Sequence, residues 1–122
     1  MSDPKALTQF AIDYLTTQGA SAVGVATKET LAGGPPSTDL EYVLPGARSA
    51  VAFAVPLDQR QIKRYLSKKD HAGHQDDNFR TNLVATGLAT ALAAYWNQHG
   101  IESYGVLANG VYRLDTPGAY QD

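Results

Sequence analysis

The sequence predicts a mixed α+β domain in which a small mixed sheet packs on one long central helix. Three observations lead there. Residues 78–99 read as a helix of about 22 residues, roughly 33 Å long. Val51, Phe53 and Val55 alternate along 47–56, which reads as a strand. The order helix, strand, strand, helix, helix, strand is neither a βαβ alternation nor a helical bundle.

The first helix opens at Asp3-Pro4, a capping residue followed by a proline suited to the first helical position. Leu7, Phe10, Ala11, Tyr14 and Leu15 then recur at helical spacing, and Gly19 suits the residue just past its end. Residues 20–26 read as a short buried strand whose small residues admit a close neighbour. Residues 28–39 are a connection. Its Gly33-Gly34-Pro35-Pro36 has neither phosphate-loop spacing, and the proline pair removes two N–H donors. Leu40, Val43 and Leu44 suggest a helical turn ending at Pro45-Gly46.

In the strand 47–56 the residues between Val51, Phe53 and Val55 are alanines, so both of its faces are expected to be covered. Asp58 and Gln61 form a capping box for a helix over 59–68, with Leu57 and Ile62 as a hydrophobic staple. The polar stretch 70–77 reads as a loop that caps the long helix. In that helix Val84, Leu88, Leu92, Tyr95 and Trp96 make an apolar stripe. Ala85, Gly87, Ala89, Ala91, Ala93 and Ala94 make the rest small rather than charged. Such a helix is buried on more than one side, or pairs with a second copy through this Ala/Gly face. Gly100 stops it, and 101–107 reads as the third strand.

The chain of 122 residues is one domain at most. Residues 1–107 are assigned to it and 108–122 to an irregular C-terminal tail, so the chain reads as the front part of a longer protein. A net charge of −2 gives no general basic surface for nucleic acid. The absence of cysteine excludes disulfides and thiolate-ligated zinc or iron–sulfur clusters within this chain. No apolar run reaches the ~18–20 residues of a membrane span, and residues 1–5 lack a signal peptide's apolar region. A cytoplasmic location is expected.

Few residues suggest chemistry. Asp70, His71, His74, Asp76 and Asp77 are metal-ligand types, but no His-Glu-x-x-His pattern joins them, and carboxylates are common before a helix. A capping loop is expected there, not a metal site; contact of His71 or His74 with a cofactor is the other reading. Arg60, Lys63, Arg64, Lys68 and Lys69 read as a solvated face or a contact for phosphate groups. Tyr65 lies among them as a packed ring. His99 suits a helix C-terminus. Asn109, Tyr112 and Arg113 follow the third strand, where functional loops are frequent. No Ser-His-Asp arrangement is readable.

Several stretches in order resemble one family. Residues 42–56 (Tyr-Val-Leu-Pro-Gly-Ala-Arg-Ser-Ala-Val-Ala-Phe-Ala-Val-Pro) resemble a Pro-Gly-x-x-Ser-Val strand segment in the N-terminal region of epoxyqueuosine reductase and its relatives, which include corrinoid-dependent reductive dehalogenases. The opening helix and Ala22-Val23-Gly24-Val25-Ala26 are similar to that family's start. Lys63-Arg64-Tyr65 and Asp70-His71 look like its Arg-Tyr … Asp-Tyr-His stretch before a long helix, and 101–107 looks like its next strand.

The resemblance implies a nitroreductase-like α+β region that binds a corrinoid, followed in such proteins by a region with two 4Fe–4S clusters. It implies an oxidoreductase that reduces an epoxide on tRNA or a carbon–halogen bond. The clusters would lie in a missing C-terminal region, so this chain alone is expected to be inactive. Tyr65, His71, His74, Asn109, Tyr112 and Arg113 are the expected cofactor-facing residues. Asn109 stands nearest the family's catalytic aspartate, so a divergent substrate is expected. A non-enzymatic scaffold or dimerisation module is the second expectation, and a flavin-binding reductase the third.

Overall fold

The computed structural model describes residues 3–108. They form an α+β unit of helices α1 (Pro4–Thr17), α2 (Gln59–Leu66) and α3 (His71–Gln98) and strands β1 (Ala22–Thr27) and β2 (Ser49–Ala54). Short 3₁₀ turns occupy Pro36–Thr38 and Leu40–Tyr42. Asp3 caps α1, its side chain accepting from the Lys5 N–H. The helix ends in a Schellman turn: Ala20 N–H donates to Leu15 O and Gly19 N–H to Thr16 O, with Gly19 at φ 110°.

β1 and β2 pair antiparallel, with Val23 opposite Phe53 and Val25 opposite Val51. Residues directly opposite point to one face. That face meets the core: Val23, Val51 and Phe53 pack on Ala11, Leu15, Ala20 and Leu92. The other face carries Ala22, Gly24 and Ala26 against Ala54, Ala52 and Ala50. Ala22, Gly24, Ala52 and Ala54 are exposed, so the expectation of two covered faces fails among the described residues. Alanine marks a face that admits a close neighbour but does not supply one. The sheet is purely antiparallel, not mixed.

The connection 28–48 is closed by an ion pair. Lys28 Nζ lies 2.5 Å from Glu41 Oε1, and the Gly46 N–H donates to Glu41 Oε2 at 3.2 Å. The hydrogen bond from Lys28, then that from Gly46, holds the Glu41 carboxyl below its ordinary value. The same hydrogen bond to Glu41 raises Lys28.

The core is thin. Ala11, Leu15, Ala20 and Leu92 are the buried apolar residues among those described, and only Leu15 is a large side chain with no exposure. Leu15→Ala would cost about 2–5 kcal/mol.

Two elements depart from expectation. The long helix starts at His71, seven residues before Asn78, so the polar stretch is its first turns and not a loop. Asp70 caps it, Oδ1 accepting from the Gly73 N–H at 2.7 Å. Residues 101–107 carry no regular secondary structure and belong to no sheet among the described residues. They lie as a strap along α3. The Asn97 amide donates to Ser103 O at 3.0 Å and accepts from Ser103 N–H at 2.9 Å. It thus offers Ser103 both bonds that a neighbouring strand would offer. A Cβ on Gly105 would come within 2.8 Å of Ala89 O, and Ala108 N–H donates to Thr86 Oγ1 at 3.1 Å. Ala85, Ala89 and Ala93 are half-buried, the strap lying over Ala89.

Candidate functional site

The corner between α2 and α3 gathers three of the expected residues. Asp58 opens α2, its Oδ1 accepting from Arg60 N–H at 2.8 Å and Gln61 N–H at 3.4 Å. Gln61 does not complete the capping box. The Asp58 N–H instead donates to Asp77 Oδ2 of α3 at 2.8 Å. Asp77 is buried, and Arg80 pairs with its other oxygen at 2.5 Å. This carboxylate fastens the start of α2 to the side of α3.

α2 ends in a Schellman turn with Lys68 where glycine is usual: Lys69 N–H donates to Arg64 O, and Lys68 sits at φ 60°. The chain turns within four residues, 67–70, and α3 begins. Arg64 Nε pairs with Asp70 Oδ2 at 3.5 Å across the turn.

The turn brings Tyr65 against both histidines. Its ring stacks on His74 with centroids 4.2 Å apart and planes 14° from parallel. His71 is tilted by 37° at 5.5 Å. Three residues apart on a helix, His71 and His74 share a side, which the helical start of α3 makes possible. His71 is exposed and His74 half-buried.

Two buried polar atoms here lack partners, His74 Nδ1 and Gln61 Oε1. A Cβ on Gly73 would collide with both Asp70 Oδ2 and Gln61 Oε1. Turning the Gln61 amide over would bring its NH₂ to the same side of Gly73 as the Asp70 carboxylate. His74 Nδ1 is the other unpartnered buried atom at this corner. The corner can offer a ring face, an acceptor or donor at His74, and an exposed imidazole at His71. Asn109, Tyr112 and Arg113 lie outside the described residues.

No group of acidic and histidine side chains among the described residues could hold a metal. No helix among them is long and apolar enough to cross a membrane.

Sequence reasoning missed a second feature at the far end of α3. Phe10 stacks on Tyr14 at 6.1 Å and on Tyr95 at 4.9 Å, and Tyr95 meets His99 at 4.3 Å. Beside this ladder Phe10, Tyr14, Ala91, Leu92 and Tyr95 line a cavity of about 330 Å³. The pairs 10/14 and 95/99 have helical spacing, but nothing local says that the two helices meet there.

Comparison of the chain with protein-family models, curated proteins and solved structures gives no match.

Proposed function

We propose that this chain is the N-terminal part of an epoxyqueuosine-reductase-like oxidoreductase with a nitroreductase-like fold, acting in the cytoplasm. In this reading the α2–α3 corner supplies one wall of a corrinoid site. The ring cluster carries it: Tyr65 lies against both His71 and His74, and His74 Nδ1 is buried without a partner.

The residues present suit the rim of such a group. A corrinoid is a flat ring fringed with primary amides, which would donate to His74 Nδ1 once the side chains that bury that atom move aside. The cavity beside Tyr95, about 330 Å³ and apolar, lies at the low end of ligand pockets and takes no corrin ring. When bound, the cobalt would supply the reductive chemistry, with electrons from 4Fe–4S clusters in a further region. The chain's own part is to bind and orient. His74 would hold the rim, and Tyr65 fixes the His74 ring plane.

The thin core is a second support. Phe79, Leu83, Tyr104 and Leu107 are among the large apolar side chains left exposed, a surface that an adjoining region would bury.

The test is a titration with hydroxocobalamin, followed by the corrin absorption bands, with flavin mononucleotide run in parallel. Saturable change with hydroxocobalamin is expected, weakened about tenfold by His74→Phe, which loses one hydrogen-bonding group. The longest native protein, purified without oxygen, should show iron–sulfur colour. Uptake of flavin alone would favour a flavin reductase. A colourless native protein that takes up neither cofactor would sink both readings and leave the scaffold.

A further inference from the structure

α2 and the turn that follows it carry the most one-sided run of charge in the sequence. Arg60, Lys63, Arg64, Lys68 and Lys69 are five of the ten cationic residues, and no carboxylate lies between Asp58 and Asp70. All five are exposed. Arg64 pairs with Asp70; Arg60, Lys63, Lys68 and Lys69 have no ion-pair partner among the described residues.

Leu66 lies beside this patch, between Lys63 and Lys68 in sequence. It is 75% exposed, more than any other large apolar residue described. It lies one turn after Lys63, on the outer side of the helix, just before the turn that carries Lys68 and Lys69. Tyr65 and Gln61 take the side toward α3, so Leu66 is left without a place in the core.

We propose that this surface docks an acidic protein segment, with Leu66 as the apolar anchor and the cations beside it as the charged flank. An apolar anchor next to a charged margin is common at protein–protein contacts. Charge complementarity selects the sign of the partner and speeds its encounter. A phosphate backbone gains little from an isolated leucine. The rest of the chain is net acidic, since the whole carries −2 despite these five cations. That repels an extended polyanion or an anionic membrane beyond the short span of α2, while the patch still attracts a small acidic surface within the Debye length of about 8 Å. The inference stands independently of the corrinoid reading, because it uses the outer side of α2 and not the ring cluster.

The experiment is a fluorescence-anisotropy titration of the full chain with a short labelled peptide of glutamates around one tryptophan. Single-stranded RNA and phosphatidylserine vesicles are measured beside it. Peptide binding is expected, weakening roughly tenfold from low to physiological salt. Leu66→Ser should weaken it about tenfold with the salt dependence kept. Lys63→Gln with Lys69→Gln should flatten the salt dependence. All these residues are exposed, and circular dichroism confirms that each variant is folded. No binding of the peptide, binding unaltered by Leu66→Ser, or tighter binding of RNA or vesicles would each overturn the proposal.

Discussion

Asp77 and Asp58 meet through one hydrogen bond of 2.8 Å, in which the buried Asp77 Oδ2 accepts the Asp58 N–H. The two carboxylates divide the start of α2 between them. Asp58 serves the N–H groups of Arg60 and Gln61 with its side chain, while Asp77 serves the N–H of Asp58 from another helix. Asp77→Ala would leave that N–H unpartnered and remove the pair with Arg80. A loss of about 2–4 kcal/mol is expected in urea unfolding. Asp77→Asn keeps an acceptor and should lose about 1 kcal/mol.

Two glycines within α3 should respond with opposite signs. Gly87 has open space where a Cβ would stand, so Gly87→Ala should stabilise by about 0.5–1 kcal/mol through helix propensity. At Gly73 the same methyl meets Asp70 and Gln61. Gly73→Ala should therefore destabilise by about 1 kcal/mol or more despite the better propensity. Denaturation midpoints of the two variants decide this, and equal gains would show that the turn at Asp70 yields freely.

The Lys28–Glu41 pair sets a pH window. Glu41 is held low, so its contribution is present above the ordinary carboxylate value of about 4.5 and is lost as pH falls through its lower folded value. Lys28 is raised, so its contribution is present below about 10.5 and is lost as pH rises through its higher folded value. NMR titration of the Glu41 carboxyl should give a midpoint below the ordinary one. In Lys28→Met it should move up, though the Gly46 N–H keeps part of the shift. The pair is exposed, so added salt should weaken the effect.

Asn97 holds the strap. Asn97→Ala removes both of its bonds to Ser103 and should speed exchange of the Ser103 amide about tenfold or more, with little effect near Leu15. Asn97→Asp keeps the acceptor and should leave that amide largely protected. Exchange rising throughout the core in either variant would mean that the strap is part of the main cooperative unit.

Caps and stops were readable because they are local. Asp3-Pro4, Gly19, Asp58 and Gly100 each act through neighbours in sequence, and each bounds an element where expected. The start of α3 was not readable for the same reason. His71, Gly73, Asp76 and Asn78 are weak helix formers, and their helical state depends on Asp58, nineteen residues from Asp77, and on Tyr65. The strap shows the converse. Alternation reads it as a strand, but the partner it takes is a helix side chain, which alternation cannot announce. Of the expected site, Tyr65, His71 and His74 do meet, but their stacking depends on a turn at Lys68 that no glycine marks.

The length of α3 has a mechanical consequence. Leu92, near its end, is clamped in the core, whereas His74 stands eighteen residues away, roughly 27 Å along the same unbroken helix. Because Asp77 and the Tyr65–His74 stack tie α2 to this end of the helix, a tilt of about 5° about Leu92 would carry His74 and α2 together by roughly 2 Å. A small adjustment among Leu15, Phe53 and Leu92 would thus be magnified where the imidazoles are.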